Sequence, residues 1–233
     1  MITRLFFALL LMISVSGCDT LSNLPMGSNL PVTESEAGEG IRQALSQGIT
    51  SAILNLNKQD GFFGNSAYKL FFPPDARKVE RTLRDVGLGN QVDKAILQIN
   101  RAAEDAVGYA KPIFVNAIKQ MTIADALIII RGGDTAATGY FREKTKAQLL
   151  DAFRPSVQES LDKLQATRYY SDAVTLYNKI PTSFNKLNPD LTSFVVDKAT
   201  NALFDQIAAE EMNIRANPAA RTTEILKRVF GKK

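Results

Sequence analysis

The chain has 233 residues, with 28 Lys and Arg against 24 Asp and Glu, 45% apolar residues, one Cys and no His. This composition suits a globular protein with a sizeable core. It excludes Ser-His and Cys-His nucleophiles, removes the commonest general base and metal ligand, and allows neither an internal disulfide nor a Cys-cluster zinc site.

The first residues read as an export signal. Met1-Ile2-Thr3-Arg4 is a short basic start, and residues 5–15 form an apolar run too short to span a bilayer comfortably. The run ends in Val15-Ser16-Gly17-Cys18. Small residues before a Cys at this point resemble the lipobox of bacterial lipoproteins. There the peptidase needs small side chains to reach the bond, and the thiol carries diacylglycerol. The expectation is a signal peptide over residues 1–17 and lipid attachment at Cys18. The chain would then be anchored in the bacterial cell envelope and face the periplasm, with inner and outer membrane left open. An ordinary secretory signal is the bland alternative. Residues 18–39 follow as a lipidated N-terminus and flexible tether, polar, with Glu34, Glu36 and Glu39 and no sustained period.

Residues 40–233 read as helices throughout. Ile41, Leu45, Ile49, Ala52, Ile53 and Leu56 recur at steps of three and four. Asp60-Gly61-Phe62-Phe63-Gly64-Asn65 breaks that helix as a turn, and Tyr68, Leu70 and Phe72 alternate as a short extended piece would. Pro73-Pro74 opens a helix with Val79, Leu83 and Val86 inward and Gly87 after its end. Asn90 is placed to cap a long helix through Val92, Ile96, Ile99, Ala103, Ala106, Ala110, Phe114 and Met121, which Pro112 should kink or split. Thr122 with Asp125 starts the next helix, and the run Leu127, Ile128, Ile129, Ile130 predicts a fully buried end before Arg131-Gly132-Gly133. Asp134 is placed to cap the helix after it, and Thr145-x-x-Gln148 resembles a capping box before a Pro155 bend. A shorter helix is expected over residues 169–177. The widest apolar arc lies over residues 191–214, which makes that helix central. Asn217-Pro218 ends it, and Thr222 or Thr223 starts the last one. The fold class is therefore an all-α, single-domain helical bundle. Two helical subdomains divided near residues 180–188 are the alternative.

The lipobox, Asp60-Gly61-Phe62, Met121-Thr122-x-x-Asp125-Ala126, Asp134-Thr135-Ala136-Ala137-Thr138-x-Tyr140-Phe141 and Ala220-Arg221-Thr222-Thr223 occur in that order. Together they resemble an uncharacterised bacterial envelope lipoprotein family known as domain of unknown function 4197, over residues 38–231. The resemblance implies an envelope location and a helical fold, and no activity.

Three groups of residues are candidates for function. Asn100, Arg101 and Glu104 are polar neighbours at helical spacing. They read either as a solvated pair on one helix or as a carboxylate at a polar ligand site. Arg131, Asp134 and Thr135 lie between two helices, where free N–H groups can hold an anion unless Asp134 caps them itself. Neither Gly132-Gly133 nor Gly87-Leu88-Gly89 has the spacing of a phosphate or dinucleotide loop. Arg221, Lys227, Arg228, Lys232 and Lys233 concentrate positive charge in the last thirteen residues. They read as helix-end cations or as contacts with an anionic phospholipid surface.

No cofactor, metal or nucleic-acid partner is expected, and no enzyme activity. The expected function is a non-catalytic envelope lipoprotein whose bundle binds or scaffolds another envelope component. A carrier or sensor of a lipid-like ligand is the alternative, and a carboxylate-dependent hydrolase a weaker one.

Overall fold

The computed structural model describes residues 33–85, 87–163, 170–171, 174–175, 178–179, 190–221 and 223–230. The expected signal peptide, Cys18, most of the tether, Val86, Thr222, Lys232, Lys233 and the greater part of the helix expected over 169–177 lie outside them. Every regular element among the described residues is a helix.

Helix α1 runs Glu34–Asn57 and starts earlier than its composition suggests. Thr33 and Glu36 form a capping box: the Thr33 Oγ1 accepts the Glu36 N–H at 3.2 Å, and the Glu36 carboxylate accepts the Thr33 N–H at 3.0 Å. Residues 34–39 therefore belong to a helix, and the tether reading holds no further than residue 32. Glu36 sits below the usual carboxylate range because the Thr33 backbone and hydroxyl bond it and Arg228 pairs with it.

A 3₁₀ turn at Pro74–Ala76 leads into α2, Arg77–Asp85. Gly87 ends it at φ 86°, with the Leu88 N–H on the Leu83 carbonyl and the Gly87 N–H on the Arg84 carbonyl. That double closure is a Schellman motif, and glycine enters its left-handed position without strain. Helix α3 spans Gly89–Val107 with Leu88 at its N-cap, so Asn90 lies inside the helix and does not cap it. The long helix splits as Pro112 predicts. Gly108 and Tyr109 separate α3 from α4, Ala110–Gln120, and Pro112 falls in the first turn of α4, where a missing N–H breaks no helical bond.

Helix α5, Ile123–Arg131, starts at Thr122 with Asp125 as expected, and the two residues form a capping box. Its end is not fully buried: Ala126 and Ile129 face the core, whereas Ile128 is 69% exposed. Helix α6 runs Ala136–Asp162 without a break, with Pro155 inside it. Thr145 lies within it and caps nothing; its hydroxyl donates to the Phe141 carbonyl at 2.7 Å. Helix α7, Leu191–Ala216, is capped by Asp190, whose carboxylate accepts the Ser193 N–H at 2.9 Å. A 3₁₀ turn at Pro218–Ala220 leads to α8, Glu224–Phe230.

Helix α7 is central, as its wide apolar arc predicts, and packs against α1, α3 and α6. Phe114, Phe141 and Phe204 meet edge-on at the middle of the core, with centroids 5.6 and 6.1 Å from Phe114. Ala102, Ala103 and Ala106 are fully buried and let α3 approach its neighbours closely. No single helix among the described residues is long and apolar enough to cross a membrane.

Candidate functional site

Two buried carboxylates organise the polar interior. Glu104 on α3 is 3% exposed. Its Oε1 accepts the N–H groups of Phe62 and Phe63 at 3.0 and 3.1 Å, and its Oε2 accepts from Arg101. Arg101 also donates to Asp60 at 2.8 Å, and these two carboxylates raise its pKa. The turn they grip is tight. Asp60 has φ 64°, and a Cβ on Gly61 would lie 2.3 Å from the Leu56 carbonyl oxygen, so glycine is required there. The turn drives Phe62 fully into the core and lays Phe63 under the Lys69 ammonium at 4.0 Å.

One turn earlier on α3, Asn100 is fully buried. Its amide accepts the Leu70 N–H and donates to the Leu70 carbonyl, both at 2.8 Å. The alternating stretch around Leu70 thus pairs with one side chain rather than with another strand. Asn100, Arg101 and Glu104 act together, but as a clasp on residues 60–70. All three spend their hydrogen-bonding groups on the protein itself.

The second group does not join them. Arg131, Asp134 and Thr135 stand exposed in the turn between α5 and α6. The N-cap of α6 is Thr135, with no side-chain cap bond, so Asp134 does not fill the helix start. The anion there comes from α7. Glu211 Oε1 accepts the Ala137 N–H at 3.0 Å, and its Oε2 accepts the Thr138 N–H and hydroxyl, both at 2.9 Å. Arg215 completes the set with two bonds to Glu211 Oε1 and one to the Ile129 carbonyl at 2.9 Å. A carboxylate on the free first-turn N–H groups at the positive end of a helix is the expected electrostatics, supplied from within the chain. Sequence reasoning missed Glu211 and Arg215. The only signal was their i, i+4 spacing, which many solvated pairs share.

The basic tail is also partly absorbed. Arg221 is buried and donates to the carbonyls of Ile214 and Arg215 at 3.2 and 2.9 Å, closing the end of α7. It is not a surface contact, which corrects that expectation. Arg228 pairs with Glu36 at 2.8 Å and Lys227 with Glu224 at 2.6 Å. Val229 and Ile225 lie on Gly40, where a Cβ would come within 2.7 Å of Val229.

Beside Glu211, between α1, α6 and α7, lies a cavity of about 20 Å³ lined by Ile41, Leu45, Ile207 and Ile214. That is room for about one water molecule. No group of three or more metal-ligating acids occurs among the described residues. Thr200 Oγ1 is the one buried side-chain polar atom without a hydrogen bond there.

Residues 31–231 match the family described as Protein of unknown function (DUF4197), and the chain belongs to that family. No curated protein and no solved structure matches it.

Proposed function

We propose that this member of the DUF4197 family is a lipid-anchored protein of the bacterial cell envelope, whose helical domain binds or scaffolds another envelope component without catalysis. The observation that carries the reading is the position of Cys18, the chain's only Cys, directly after an apolar run and Val15-Ser16-Gly17. Two or three acyl chains on that thiol, at about 0.8 kcal/mol per buried CH₂, make a stable anchor.

The interior supports a binding module over an enzyme. Glu104 and Glu211 are each held by two backbone N–H groups and an arginine of the protein itself. With their oxygens engaged in this way, the hydrolase reading gains nothing from them. The cavity beside Glu211 is too small to hold a lipid-like ligand.

Labelling of growing cells with a palmitate analogue tests the anchor. The wild-type chain is expected to take the label, and Cys18→Ser to lose it and keep its signal peptide. A labelled Cys18→Ser chain refutes the reading.

A further inference from the structure

The outer face of α5 departs most from its sequence. Ile128 is 69% and Ile123 43% exposed, Ala124 is exposed and Leu127 half-buried. At 100° per residue these four form one continuous stripe, opposite buried Ala126 and Ile129. In sequence the exposed cations Lys119, near the end of α4, and Arg131, the last residue of α5, flank it. The one acid on α5, Asp125, is taken by its capping box: the Thr122 hydroxyl and N–H hold it below the usual carboxylate range. Single exposed apolar residues are ordinary, but a helical stripe of them flanked by cations has the composition of a helix that lies in a membrane interface.

The position of the stripe agrees. Ile123 lies beside Gly38, 3.9 Å from the place of its Cβ, and Arg42 donates to the Met121 carbonyl at 2.9 Å. So α5 begins against the second and third turns of α1, at the end of the domain where the chain leaves toward Cys18. Fourteen residues lie between Cys18 and Thr33. The fifteen steps between the two span at most about 50 Å. A bilayer holding acylated Cys18 is within reach of this face, and the tether raises the effective concentration of the one at the other.

We infer that the outer face of α5, Ile123, Ala124, Leu127 and Ile128 between Lys119 and Arg131, is the surface by which the domain rests on an anionic bilayer. The inference builds on the proposed anchor. It also relocates the membrane contact from the tail, where Arg221 and Arg228 are engaged, to α5. Each flanking cation adds roughly fivefold to the affinity for an anionic surface at moderate salt. The apolar stripe enters about 5–10 Å into the headgroup boundary.

The test uses the intact acylated chain in vesicles of phosphatidylethanolamine with one part phosphatidylglycerol. Acylation blocks Cys18, so Ile128→Cys carries the only reactive thiol, and Leu54→Cys, on the outer side of α1, serves as the control. Both positions are exposed, so both variants keep the fold. A polarity-sensitive dye at position 128 is expected to shift blue and be quenched by brominated lipid, while the dye at position 54 stays water-like. Ile123→Glu is expected to abolish the shift at position 128, and replacing phosphatidylglycerol with phosphatidylcholine to weaken it. A water-like dye at position 128 overturns the inference. So does a blue shift that grows with the protein-to-lipid ratio and escapes brominated lipid, which identifies a second copy of the chain as the occupant. A thiol-reactive wild-type chain refutes the anchor alone; the dye at position 128 in a Cys18→Ser background then still decides for or against the α5 face.

Discussion

The clasp on residues 60–70 and the start of α6 solve one problem with one set of parts. Each has a glutamate that accepts two consecutive backbone N–H groups and an arginine from its own helix, three residues before Glu104 and four after Glu211. They differ in what surrounds the arginine. Arg101 retains 27% exposure and reaches Asp60 at the surface, whereas Arg215 retains 14% and also donates to the Ile129 carbonyl. Solvent can take over part of the work when the first glutamate is lost. At the second, less exposed site it can take over less, so the same motif is worth more there.

That difference gives the ranking its largest member. Glu211→Ala removes the carboxylate from Arg215 and the acceptor from two buried N–H groups at a helix start, and is expected to cost about 3–5 kcal/mol. Urea unfolding followed by far-UV circular dichroism measures it. Glu104→Ala should cost less, about 2–3 kcal/mol, because Arg101 can turn to water and Asp60 while the Phe62 and Phe63 N–H groups lose their acceptor. Equal losses in the two variants would break the comparison. The smallest effect is invisible at neutral pH. Tyr170 packs on Phe72, at the end of the clasped segment, with ring centroids 5.8 Å apart, and burial pushes its phenol up to about 12. The folded state thus favours the neutral phenol. That stabilisation is whole below pH 10, the ordinary tyrosine value, and is lost as pH rises through 12. A stability curve that bends downward above pH 10 in the wild type and flattens in Tyr170→Phe is the expected result, and identical curves would separate Tyr170 from the clasp.

Much of the helical order could be read from spacing. Apolar residues at steps of three and four located α1, α3 and α7, and the breadth of the α7 arc marked it as central because a helix covered on several sides can carry few polar residues. Pro112 split the long helix because its missing N–H is harmless only in a first turn. The start of α1 was harder. Its Ser, Glu and Gly residues have the composition of a linker, yet Thr33-x-x-Glu36 carries the capping-box spacing, and Arg228 adds a pairing from the far end of the chain. The outer face of α5 could not be read, since a run of four apolar residues has no period that says which side meets solvent. The candidate site was half legible. Arg101 and Glu104 declare their pairing by spacing, but the N–H groups that Glu211 serves lie 73 and 74 residues away, and no local pattern points to them.

The pairing of Glu36 with Arg228, and the seat of Val229 on Gly40, bring the two ends of the domain side by side. Topologically the domain is then nearly a closed ring. Tension applied between the two ends of the domain would act first on the α1–α8 contact, peeling the short α8 from α1. A domain wired in this way can yield at its ends and reclose while its core stays assembled.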